Sequence, residues 1–90
     1  MDSFTKFTRN AKPSYVRKFR QLTGQLLSGE KSVWQLGKRL GRSRHSSNAY
    51  FSVPIGGSHY RLVVQLIENS VKILAVLTHQ DYDKYIKQLP

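Results

Sequence analysis

The sequence contains no cysteine, only five acidic residues and no long apolar run. Without cysteine the chain cannot form a disulfide, a thiolate nucleophile or a cysteine-ligated zinc site. Its apolar runs are too short to span a bilayer, and its first ten residues include Asp2 and no apolar block. We therefore expect neither a membrane span nor a signal peptide, and we predict a protein of the reducing cytoplasm.

The scarcity of acids leaves a strongly basic chain, with 15 Lys and Arg residues and a net charge of +10 on 90 residues. This charge argues against an ordinary near-neutral metabolic enzyme. It favours a polyanionic partner, which could be nucleic acid, an anionic membrane surface or an acidic protein. The membrane is the weakest of these, because no segment combines a basic helix face with a large uncovered apolar face. The length predicts a single domain over residues 1–90.

The first half of the chain has the apolar spacing of helices. One stripe begins soon after Pro13 and consists of Tyr15, Phe19, Leu22 and Leu26. A second, shorter stripe lies between a possible cap at Ser32 and a possible end at Gly41, and consists of Val33, Leu36 and Leu40. The two stripes predict two helices in an antiparallel hairpin.

The second half is rich in β-branched and aromatic residues and predicts three strands, over residues 49–55, 59–67 and 71–78. Turns are expected at 56–58 and at 68–70. The last segment, 79–89, returns to helical spacing through Tyr82, Tyr85, Ile86 and Leu89. The predicted fold is therefore α+β, with two N-terminal helices packed on a three-stranded antiparallel sheet and a short C-terminal helix.

Side-chain alternation in the last two strands predicts which sheet face covers the helices. The apolar face contains Tyr60, Leu62, Val64, Leu66, Val71, Ile73, Ala75 and Leu77. The opposite face mixes apolar residues with His59, Arg61, Lys72 and Thr78, and we interpret it as the working surface.

Candidate functional residues are basic and aromatic rather than metal-binding. The three histidines lack metal-ligand spacing, no carboxylate pair suits acid/base catalysis, and no nucleotide-binding motif is present. The candidates for RNA binding are Lys38, Arg39, Arg42, Arg44, His45, His59 and Lys72. Together with His79, Tyr82 and Lys84, which follow the last strand, these residue types could cleave RNA without a metal or cofactor. Such cleavage needs a base, an acid and a cation beside the phosphate.

Each candidate also has a plainer interpretation. The basic residues of 38–45 could be a solvated phosphate-binding surface, and Arg61 could pair with an acid. Tyr82 could be a core residue, and His79 could make a local hydrogen bond at the strand end. The residue pattern alone predicts a small basic α+β nucleic-acid binder.

Residues Tyr50–Ile86 resemble the C-terminal half of HigB-type toxins of the RelE/ParE superfamily. Three features carry the resemblance. They are the Phe-x-Val-x-Ile-Gly-Gly turn, the Tyr-Arg-Leu-Val-Val strand that begins at Tyr60, and the Thr78-His79 and Tyr82-Asp83-Lys84 signature.

The resemblance implies a type II toxin with a compact microbial-ribonuclease-like fold. Such toxins cleave mRNA, typically on the ribosome, and are silenced in a hetero-oligomer with a cognate antitoxin. It also implies that Arg61 binds phosphate and that His79, Tyr82 and Lys84 are the acid/base candidates. The family often has further basic residues on the first sheet strand, whereas Tyr50–Ile55 has none. We therefore expect the basic residues of 38–45 to take the place of those missing strand residues.

Two other functions stay open at this point. A ParE-like toxin would inhibit gyrase through protein contacts and would not need the Arg61, His79 and Tyr82 set. A non-catalytic RNA- or DNA-binding module would bind with a steep salt dependence and yield no cleaved product.

Overall fold

The computed structural model describes residues 2–40, 48–57 and 59–88, which have an α+β fold. Four strands in these ranges form one antiparallel sheet, in the order β1 Lys38–Leu40, β2 Asn48–Ile55, β3 Tyr60–Ile67 and β4 Ser70–Thr78. The helices are α1 Ser3–Asn10, α2 Pro13–Ser28, α3 Val33–Leu36 and α4 His79–Ile86. Across the described ranges, no helix has the length and apolar character needed to cross a membrane.

The first predicted helix is confirmed as α2. Pro13 occupies its first turn, and Gly29 ends it in the left-handed conformation, with a φ of 80°. The preceding helix α1 is not predicted by the apolar spacing. It begins at an N-cap in which the Thr5 backbone N–H donates to Asp2 Oδ1 at 2.8 Å, and this hydrogen bond lowers the pKa of the Asp2 carboxyl.

The second predicted helix is wrong beyond its first turn. It starts as expected at Ser32, which forms a capping box with Gln35, but it ends at Leu36. Lys38–Leu40 instead pairs with β2 as strand β1, so the sheet has four strands rather than the predicted three. Hydrogen bonding to β2 overrides the helical spacing in this segment.

The main core lies between the first helices and one face of the sheet. Its ten buried residues are Phe7, Leu22, Leu26, Val33, Phe51, Val53, Ile55, Leu62, Val64 and Val76. At one end the ring of Phe7 packs edge-on against Tyr60, with centroids 4.9 Å apart. Burial of this apolar face supplies most of the hydrophobic driving force that is available to a chain of this size.

A β-bulge corrects the predicted face assignment in β4. Val63 is opposite Ala75 and Val64 is opposite Ile73, so Leu74 has no partner in the register. The alternation therefore reverses beyond Ile73: Val76 enters the main core, whereas Ala75 and Leu77 point to the opposite face.

The opposite face is not a fully open working surface, because α4 packs on part of it. Val63, Ala75 and Tyr82 form a second buried cluster there, with Leu40, Leu74, Leu77, Tyr85 and Ile86 around it. Turns flank β3 where they were predicted, although residue 58 of the first turn lies outside the described residues. Gly56 and Gly57 both have positive φ, and a two-residue turn links the paired residues Ile67 and Ser70.

Close approach of Gly37 to β2 provides a test of the β1 position. A Cβ at Gly37 would meet the Ser52 carbonyl oxygen and lie 2.8 Å from Val53 Cγ2, whereas a Cβ at Gly24 in α2 would meet nothing within 4 Å. We expect Gly37→Ala to lower the free energy of unfolding by about 1–3 kcal/mol. Gly24→Ala, the matched control, should raise it by about 0.5–1 kcal/mol. Urea denaturation of both variants measures the difference, and equal effects would contradict the position of β1.

Candidate anion-binding groove

A groove of about 520 Å³ opens on the sheet face between β1 and α4. It exists because β1 begins at Lys38, opposite Ser52, whereas β2 continues to Ile55. Pro54 lies in the part of β2 that β1 does not reach, where a residue without an N–H leaves no missing hydrogen bond on that side. The polar side chains that line the groove are Gln35, Lys38, Arg39, Ser52, Arg61 and Tyr82.

Positive charge is concentrated in this groove. Lys38, Arg39 and Arg61 all line it, and no carboxylate is among the described residues that do so. Lys38 pairs with Ser52 across the sheet, which places the two side chains on the same face. Lys38 and Arg39, which were predicted to bind RNA, thus line the groove from an edge strand rather than from the second predicted helix.

Arg61 lines the groove from strand β3. It is half-buried on β3, between Pro54 and Leu77 in the register. Its Cζ lies 5.7 Å from the centre of the Tyr82 ring, within the range of a cation–π interaction. Within the described ranges no carboxylate forms an ion pair with Arg61, so the guanidinium charge is available to a bound anion.

Tyr82 is a core residue that also lines the groove. It is 9% exposed and packs with Val63 and Ala75 in the second cluster, yet it also lines the groove beside Arg61. Helix α4 carries it there from an N-cap at Thr78, whose hydroxyl accepts from the Asp81 backbone N–H at 3.3 Å.

The other two acid/base candidates lie on α4 but do not line the groove. His79 is the first residue of the helix, and its side chain is 61% exposed. Its Nε2 is 3.9 Å from an Asp83 carboxylate oxygen, which is too long for the local hydrogen bond of the plainer interpretation. Lys84 is exposed in the last turn of α4.

Two of the remaining predicted RNA-binding residues, Lys72 and His59, do not line the groove. Lys72 is exposed opposite Gln65, toward the other end of β4. The His59 ring lies 5.7 Å from that of Tyr15 of α2, on the helix side of the sheet. Arg42, Arg44 and His45 lie outside the described residues.

Ser52 is a groove residue that the sequence reasoning did not single out. It is 5% exposed, and its hydroxyl has no hydrogen-bond partner among the described residues. The available signal was a small polar residue in an otherwise apolar stretch of β2, between Phe51 and Val53. Alternation alone could not show that this side of β2 would be buried.

The groove's chemistry suits an anion rather than a metal. No group of three or more His, Asp or Glu side chains in the described ranges could hold a metal ion. The cations and hydroxyls around Arg61 are instead hydrogen-bond donors. An arginine fork and a lysine ammonium are the groups that proteins commonly use to bind phosphate or carboxylate oxygens.

Fold and groove together define a small basic α+β domain with an anion-accepting cleft between an edge strand and a C-terminal helix. The model of the ParE-like toxin domain family matches residues 13–84, so the chain belongs to that family. It is therefore a member of the RelE/ParE toxin superfamily and a toxin of a toxin–antitoxin system, with a cognate antitoxin as its partner. No curated protein and no solved structure matches the chain.

The double role of Tyr82 predicts different outcomes for two substitutions. Tyr82→Ala should lower the free energy of unfolding by about 3–5 kcal/mol, because it removes the largest side chain of the second cluster. Tyr82→Phe keeps the ring and should change stability by less than about 1 kcal/mol. Thermal denaturation followed by circular dichroism compares them. A Tyr82→Ala protein as stable as wild type would show that α4 does not depend on this ring.

Proposed function

We propose that this toxin is a HigB-type endoribonuclease that cleaves translated mRNA on the ribosome, and that the groove around Arg61 binds the scissile phosphate. The observation that supports this most is the convergence of Lys38, Arg39, Arg61 and Tyr82 on one groove, although they come from β1, β3 and α4. The resemblance to HigB-type toxins implies the same activity and assigns phosphate binding to Arg61.

The proposed reaction is metal-independent transesterification. A base removes the proton of the ribose 2′-OH, and the 2′-oxygen attacks phosphorus. The bond from phosphorus to the 5′-oxygen then breaks, and an acid protonates the leaving oxygen. The products are a 2′,3′-cyclic phosphate and a 5′-hydroxyl. The Arg61 guanidinium stabilises the negative charge that grows on the phosphate oxygens.

Three residues are candidates for the proton transfers, and their positions differ. Tyr82 lines the groove beside Arg61, whereas His79 and Lys84 lie outside it on α4. We therefore propose Tyr82 as the principal proton-transferring group. His79 and Lys84 contribute only if the bound RNA extends across the exposed surface of α4.

The cognate antitoxin is proposed to be acidic where it meets the toxin. A net charge of +10 favours a negatively charged partner, and covering the groove would block the RNA site directly. The toxin and antitoxin are proposed to form a hetero-oligomer in which the toxin is inactive.

Inhibition of gyrase is the second candidate function. The match to a family described as ParE-like favours it, and so does the position of His79 and Lys84 outside the groove. In that case the toxin would act through protein contacts, transcripts would stay intact, and purified gyrase would lose activity in its presence.

Induction of the toxin without its antitoxin, followed by mapping of transcript 5′ ends, tests the proposal. We expect growth arrest and new 5′ ends within translated regions. Arg61→Ala should reduce cleavage by about 100-fold or more, and Tyr82→Phe should reduce it more than His79→Ala does.

Arg17→Ala is the matched control for Arg61, because it removes the same charge from an exposed position on α2. It should cleave like wild type. Intact transcripts together with gyrase inhibition would replace the nuclease proposal with the second candidate. Full activity of Tyr82→Phe with an inactive His79→Ala would instead move the proton transfer to His79.

A further inference from the structure

Two buried donors without partners lie beside the same groove. Ser52 Oγ and Arg61 Nε are almost completely buried, and neither forms a hydrogen bond within the described part of the chain. Both residues line the groove between β1 and α4. Buried polar groups in proteins are nearly always hydrogen-bonded, so two orphans at one place indicate a ligand that supplies their partner.

The sheet register brings the two donors together. Ser52 is opposite Val63 on β3, and Arg61 lies two residues from Val63 on the same strand. Residues in this diagonal relation share a face and are about 7–8 Å apart, which the side chain of arginine can reach across. Lys38 is opposite Ser52 on its other side and also lines the groove, so a cationic side chain shares this face with the hydroxyl.

The two donors favour a ligand that is an anion with oxygen acceptors. Arg61 Nε–H can only donate and so needs an acceptor, and the Ser52 hydroxyl can donate to the same acceptor group. The surrounding Lys38, Arg39 and Arg61 charges favour an acceptor that is negatively charged. A phosphodiester presents two non-bridging oxygens, which lets one group accept from both donors.

We propose that Ser52 is a phosphate-binding residue. In the bound state its hydroxyl and Arg61 Nε–H donate to the non-bridging oxygens of one RNA phosphodiester, beside the Lys38 ammonium. The proposal rests on the proposed function only in taking RNA as the source of the phosphate. The proposal assigns phosphate binding to a neutral hydroxyl on β2, a strand that has no basic residue.

A buried donor without a hydrogen-bond partner in the free protein predicts that its removal has opposite effects on stability and on binding. Removing the Ser52 hydroxyl should stabilise the free fold, because it removes a buried polar group that has no partner. The same change should weaken phosphate binding. A serine with a purely structural role would instead lose stability when replaced and leave binding unchanged.

The test compares Ser52→Ala with wild type and with Ser14→Ala, whose serine is exposed on α2. The RNA probe is a single-stranded 2′-O-methyl oligoribonucleotide, which the enzyme cannot cleave, and inorganic phosphate is a second probe. We expect Ser52→Ala to bind the RNA about tenfold more weakly, which corresponds to one hydrogen bond to a charged group. Its Tm should rise by a few degrees, whereas Ser14→Ala should match wild type in both measurements.

A second readout follows Arg61 directly. The Arg61 Nε–H NMR signal of wild type should shift on titration with inorganic phosphate, and the shift should require a higher phosphate concentration in Ser52→Ala. An unchanged RNA affinity or a lowered Tm in Ser52→Ala would overturn the proposal, as would a wild-type Arg61 signal that phosphate does not move. Weaker binding of an acidic antitoxin peptide with unchanged RNA binding would assign the donors to carboxylates instead.

The outcome of these binding measurements does not depend on whether the protein is a nuclease. If transcripts remain intact on induction but Ser52→Ala still weakens phosphate binding, the phosphate site stands and the nuclease activity does not. If transcripts are cleaved but Ser52→Ala binds like wild type, the nuclease stands and Ser52 has no part in it.

Discussion

The packing of the Tyr82 ring is the interaction on which both the attachment of α4 and the shape of the groove depend. On one side the ring buries Val63 and Ala75 and so attaches α4 to the sheet. On the other side it lies beneath the Arg61 guanidinium and forms part of the groove wall. A buried aromatic residue loses few rotamers once it is packed, so it can hold the arginine in place at little further entropic cost. The position of the site therefore follows from the second cluster.

Sequence patterns predicted the structure correctly where residues close together in the chain determine it. Helix α2 follows from its apolar stripe and first-turn proline, and the β3–β4 hairpin follows from two β-prone runs around a polar turn. The same patterns gave wrong predictions where contacts between segments far apart in the sequence determine the structure. The stripe that ends at Leu40 fits a helix, but Gly37 lies against the Ser52 carbonyl and the next three residues pair with β2. The β-bulge at Leu74 is also invisible to strict alternation, because one extra residue reverses every side chain beyond it.

The sequence predicted some of the residues that line the groove and missed others, and the reason differs from residue to residue. The resemblance singled out Arg61 and Tyr82, and the structure brings both to one groove. Lys38 and Arg39 were selected for their charge, and an edge strand that was not predicted places them there. Ser52 could not be selected, because its importance arises only from burial without a partner. His59 was selected for its strand position, but its ring contacts Tyr15 of α2 instead.

The most direct test of this account is a crystal structure of the toxin with a non-cleavable 2′-O-methyl oligoribonucleotide. We expect one phosphodiester in the groove between β1 and α4, with its non-bridging oxygens within about 3 Å of Arg61 Nε and Ser52 Oγ. RNA bound elsewhere, for example along the exposed basic residues of α2, with the groove empty, would contradict the central claim that this groove is the phosphate site.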